Sequence, residues 1–178
     1  MYQQVLDFWF KDIDPSNWWI KSERFDAQIV KQFSDIHTKA NRCELYRWRA
    51  TAEGRLAEII VLDQFSRNMF RDHALSFASD ALALALAQDA ILIRADRALN
   101  EIERSFLYMP FMHSESPEIH EVALKLYQDN GLKNNIEFEI KHKAIIDRFG
   151  RYPHRNKVLG RLSTEEELKF LEQPGSSF

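Results

Sequence analysis

Two polar stretches of the chain carry the residue types that could do chemistry. The first is Arg148-Phe149-Gly150-Arg151-Tyr152-Pro153-His154-Arg155-Asn156. A guanidinium fork meets a carboxylate or phosphate through two parallel hydrogen bonds, so Arg148, Arg151 and Arg155, with His154 and Asn156, form a candidate anion cradle. Gly150 and Pro153 should fix the shape of this loop. The second stretch is Leu62-Asp63-Gln64-Phe65-Ser66-Arg67-Asn68, which sits inside an otherwise apolar helix. At about 100° per residue, Asp63, Gln64, Arg67, Asn68 and Arg71 share one wedge of that helix. The two stretches read as facing walls of a single pocket.

Each has a purely structural alternative. Asp63 and Arg67 stand four apart, and an exposed helix pair of that kind contributes only about 0.3–0.5 kcal/mol. On a helix apolar nearly all round the pair should be buried, where charge must find further partners. Arg148 and Arg151 could equally clamp helix C-termini and pair with Asp63, Glu103 or Glu115. A third polar group, His113-Ser114-Glu115, suggests a hydrolase, but adjacent helical side chains diverge and no G-x-S-x-G elbow occurs. The enzymatic alternative therefore rests on His113 or His154 as general acid/base, tuned by Glu115 or Asp63.

The six histidines follow no zinc-ligand spacing, and neither a phosphate loop nor a dinucleotide fingerprint is present, so no metal or cofactor is expected. Net charge is −3, which argues against nucleic acid or an anionic membrane as the main partner. Lys141 to Arg161 nevertheless holds seven Lys or Arg against the single acid Asp147, so a local positive face is expected. Cys43 is the only cysteine; it excludes an internal disulfide and fits a reducing compartment. The first residues lack a basic-then-apolar leader, and Asp80, Gln88 and Asp89 interrupt the greasiest window, Ala78 to Ile93. A cytoplasmic location without a membrane span is therefore expected.

The elements that must position these residues read as helices throughout. Tyr2 to Phe10 ends at Asp14-Pro15, and Ser22 caps a helix towards Arg42 with Phe25, Ile29, Phe33 and Ile36 on one stripe. Thr51 caps a central helix reaching Phe70, followed by an Ala/Leu-rich helix from Phe77 to Ile93. Asn100 caps Glu101 to Met109, where Pro110 should break or kink the run. Ser116-Pro117 starts the next helix and Gly131 stops it. Lys133 to Phe149 ends at Gly150, and Ser163-Thr164-Glu165-Glu166 reads as a capping box. Phe8, Trp9, Phe25, Phe33, Phe65 and Phe106 read as core. No strand-type alternation appears, so the 178 residues form a single all-α domain of about seven or eight antiparallel helices.

The whole chain resembles a bacterial family classed as domain of unknown function 924. The resemblance is carried by Val5-Leu6-Asp7-Phe8-Trp9-Phe10, Gly54-Arg55-Leu56 through Asn68, Phe106 to Glu115, Arg148 to Asn156, and Pro174-Gly175-Ser176-Ser177-Phe178. It implies a tetratricopeptide-like α-α superhelix, although no clean repeat pattern is visible. Met112 departs from the acidic residue common there. The resemblance implies no activity. On the residues, the expected function is binding of an anionic small molecule or acidic peptide end by Asp63, Gln64, Arg67, Asn68, His113, Glu115, Arg148, Arg151, His154, Arg155 and Asn156.

Overall fold

Apolar side chains recurring at helical spacing drive every element of the computed structural model, which describes residues 1–177. Phe178 of the terminal motif lies outside the described residues. Helix α1 (Tyr2–Asp7) runs into a π turn (Phe8–Asp12), and α2 spans Glu23–Asn41 with the Ser22 side chain capping Phe25 N. Thr51 caps α3 (Ala52–Ile60), which continues through a second π turn (Val61–Phe65) into α4 (Ser66–Met69). Then come α5 (Asp80–Leu92), α6 (Glu101–Met112), α7 (Pro117–Asn130), α8 (Lys133–Phe149) and α9 (Glu165–Leu171). Counting α3 to α4 as one rod leaves eight helices and no strand among the described residues.

That rod is the axis of the main core. Leu56, Ile59, Ile60, Leu62 and Phe65 are fully buried in it. Phe65 packs against the rings of Phe8, Trp9 and Phe33, and α1, α2, α5 and α6 surround it. Phe106 closes the aromatic cluster against Trp9 and Trp18. Consecutive helices α6, α7 and α8 pack on one another through short turns. Beneath α8 and α9 lies a satellite core of Ile145, Ile146 and Tyr152, flanked by Phe149 and Phe170.

Two local expectations are corrected. Pro110 does not break α6, which runs on to Met112. Its ring removes one backbone donor, but burial of Phe106 to Met112 holds the last turn. The capping box opening α9 lies one residue later than expected: Thr164 accepts from Glu167 N, and the Glu167 carboxylate accepts from Thr164 N.

The run Ala74–Leu92 is long and apolar enough to cross a bilayer by length and composition. Here it is a 3-10 turn (Ala74–Phe77) followed by α5, whose inner alanines Ala83, Ala87 and Ala90 lie buried where α5 packs on α3 and α6.

Candidate functional site

The π turn places Asp63 at the centre of a buried charged cluster. Asp63 is 1 % exposed. Its carboxylate accepts from Gln64 Nε2 at 2.6 Å and lies 2.8 Å from His113 Nδ1 and 3.1 Å from Arg67 Nη1. Arg67 also donates to both carboxylate oxygens of Asp80, at 2.9 and 3.0 Å. From the far wall comes Arg155, its plane between the rings of Phe77 and Tyr152 at 4.6 and 4.5 Å. One long contact, 3.4 Å, joins Arg155 Nη1 to Asp80. Its Nε is buried without a hydrogen-bond partner among the described residues.

Protonation follows from this arrangement. Burial opposes ionisation of Asp63, but Arg67 and His113 outweigh it and hold the carboxyl well below the usual range. Burial likewise disfavours a charged Arg67, and Asp63 with Asp80 overcomes that. Burial, then the Arg67 charge, push the His113 imidazole down despite Asp63, leaving it neutral at pH 7. With Asp63 ionised, His113 Nδ1 must donate to it, so Nε2 keeps the lone pair. The pair is an oriented base of the kind used for proton transfer. Burial also lowers Arg155, to about 10, which leaves it a cation.

The two expected walls are linked through Asp80, which Arg67 and Arg155 both reach, with Asp63, Gln64 and His113 on the Arg67 side. His154 flanks them, with its ring 5.5 Å from that of Tyr152. Other expected site residues are used elsewhere. The wedge spans roughly 140° from Asp63 to Asn68 at helical pitch, wide enough to face two neighbours. Its other edge meets α2, where Asn68 and Arg71 bind Asp26 at 2.6–2.8 Å. Arg148 pairs with Glu166, and Arg151 forks onto Glu167 at 2.6 and 2.8 Å. Both are thus used in structural ion pairs, but with acids of the first turn of α9 and not with helix C-termini or with Asp63, Glu103 or Glu115. Glu115 binds Arg161 at 2.6 and 2.9 Å and accepts from Tyr152 N, so it ties the loop down and does not tune His113. Asn156 is fully buried between Ser163 and Arg161. With Lys143 also paired to Glu121 and Asp147, most of the basic window is matched by acids.

Asp80, Phe77 and Tyr152 complete the cluster without having been singled out. Their only local signals were an acid at the start of an Ala/Leu helix and aromatics beside polar residues. Two surface hollows, of about 530 and 430 Å³, are lined by Ile91, Arg94, Asp96 and Arg97 and by Asp72, His73, Ala74, Lys157 and Val158. The second lies beside the segments that carry Phe77 and Arg155. No group of three or more metal-ligating side chains is found among the described residues.

Three histidines resist protonation here. Burial pushes His142 down to about 3 and His154 down to about 4, and lowers His113. Unfolded imidazoles take up protons below about pH 6.5, whereas the folded chain does not. Their stability contribution is thus complete above that pH and disappears as pH falls through the folded values. Urea midpoints should drop between pH 7 and pH 4, with His142 alone accounting for on the order of 3 kcal/mol. The same titration of His142→Phe should be flatter; identical curves would contradict the assignment.

An all-helical protein with a buried Asp–His–Arg cluster is the class that fold and site define. The family model for bacterial proteins of unknown function, DUF924, matches residues 5–175, and the chain belongs to that family. A solved structure of a protein of unknown function from Agrobacterium tumefaciens is similar to it, at 40% identity and TM-score 0.92, covering 96% of each chain. Comparison with curated proteins returns no match.

Proposed function

We propose that this protein binds a small carboxylate or phosphate, or an acidic peptide end, between Arg155 and Arg67, in the cytoplasm. The observation behind it is Arg155 itself. It is 6 % exposed and flanked by two aromatic rings. Among the described residues its one ion pair is the 3.4 Å contact to Asp80, and its Nε–H has no hydrogen-bond partner. A buried guanidinium normally fills its fork, because an unmade hydrogen bond to a charged group costs several kcal/mol. An oxyanion would supply the missing acceptors, with Arg67 close by. The tetratricopeptide-like reading of the stacked hairpins belongs with this proposal, since such scaffolds present inward-facing binding surfaces.

Thermal denaturation with inorganic phosphate, sulfate and an acidic dipeptide tests it. The melting temperature should rise with ligand in wild type, and Arg155→Met, which keeps the stacking volume, should abolish the rise. Equal rises in both proteins would exclude the site.

A second reading takes the oriented Asp63–His113 pair as a general base acting on the bound anion. It predicts turnover lost in His113→Gln with binding retained. Binding lost in step with turnover would reduce His113 to a ligand contact.

A further inference from the structure

A second buried pair sits behind the site and belongs to neither wall. His120 on α7 and Glu139 on α8 are both fully buried, with Nδ1 and Oε1 2.7 Å apart. The other imidazole nitrogen, Nε2, lies 2.9 Å from the Ser114 carbonyl and 3.2 Å from Tyr152 Oη. A carbonyl only accepts, so Nε2 carries hydrogen. Tyr152 Oη–H in turn donates to the Met112 carbonyl at 2.5 Å, so towards Nε2 its oxygen is the acceptor. With Nε2 protonated, the Nδ1···Oε1 contact holds one more proton, shared by the pair. The second oxygen, Oε2, is buried without a hydrogen-bond partner among the described residues. That favours a neutral acid donating to Nδ1 over an ionised carboxylate. Burial raises the Glu139 carboxyl, consistent with this state.

The contacts of Nε2 span the site. Met112 to Ser114 is the end of α6 that bears His113, and Tyr152 stacks on Arg155. We infer that His120 and Glu139 are positioning residues for the anion site, latching its two walls together through one shared proton. Loss of that proton to solvent leaves a Glu139 carboxylate, which draws the imidazole hydrogen to Nδ1. Nε2 then turns a lone pair towards the Ser114 and Tyr152 oxygens, and the latch opens. The charged and titratable neighbours are Lys143 and His142 on α8, Tyr127 on α7, Tyr152 on the loop and His113 at the end of α6.

This inference rests on the anion-site reading, and the test separates the two. Sulfate affinity, measured by calorimetry across neutral to alkaline pH, should fall about tenfold in wild type as the pair loses its proton, roughly one hydrogen bond's worth of binding. Glu139→Gln presents an amide N–H to Nδ1 permanently, so its affinity should match wild type near neutrality and stay flat across the same range. Arg155 titrates in both proteins and cancels in the comparison. Imidazole ¹⁵N shifts should show His120 protonated at Nε2 at neutral pH, switching with the wild-type affinity. Sulfate bound through Arg155 but with Glu139→Gln following the wild-type profile, or His120 lacking hydrogen on Nε2 at neutral pH, overturns the latch alone. Sulfate that fails to bind, or binds equally to Arg155→Ala, overturns the site and the latch with it.

Discussion

Asp63→Ala should destabilise the protein by about 3–5 kcal/mol, the range for removing one partner from a buried charged network. The carboxylate joins Gln64, His113 and Arg67 within 3.1 Å. Its removal leaves Arg67 with Asp80 as its remaining carboxylate partner. His113 loses the acceptor that fixes its tautomer. Asp63→Asn keeps the shape and one acceptor but drops the charge, so its loss should be smaller, and His113, without the carboxylate that favours its protonation, should titrate lower still. Chemical denaturation at pH 7 checks the first, and histidine NMR titration the second. A neutral Asp63→Ala would mean that the cluster is solvated and not buried.

Gly54→Ala should also be severe, against the usual sign for that exchange. Alanine normally favours a helix over glycine by up to about 1 kcal/mol. Here an added Cβ would lie 2.0 Å from the Trp48 carbonyl oxygen and 2.8 Å from its carbon, both backbone atoms. The first turn of α3 must therefore move away from the turn Tyr46–Ala50, disturbing the Thr51 cap on Gly54 N. Overpacking of this kind costs up to about 3 kcal/mol and sometimes more. Calorimetric melting of the variant reads it directly. An unchanged or raised melting temperature would show that α3 can shift freely.

The helices were legible in the residues because their apolar stripes and caps are local. Phe25, Ile29 and Phe33 mark α2, Asn100 with Glu103 caps α6, and Gly131 and Gly150 end α7 and α8 in left-handed conformations. Of the break or kink expected at Pro110, the break does not occur, because tertiary burial outweighs it. In the site, Asp63, Arg67, His113 and Arg155 could be named, since charges within apolar runs are conspicuous. Their partners could not. An arginine gives no local sign of which distant carboxylate it will meet, so Glu166 and Glu167 took Arg148 and Arg151, and Asp26 took Asn68. Asp80 had looked like a mere interruption of an apolar helix. It bridges Arg67 and Arg155, because the 3-10 turn before α5 brings its first residue over the cluster.

Anomalous diffraction from crystals grown with selenate tests the anion site most directly. A selenium peak is expected within hydrogen-bond reach of Arg155 Nε, with Arg67 alongside and His113 still bound to Asp63. Selenium found only elsewhere, for instance beside Arg94 and Arg97, with Arg155 Nε satisfied by a protein carboxylate, would contradict it.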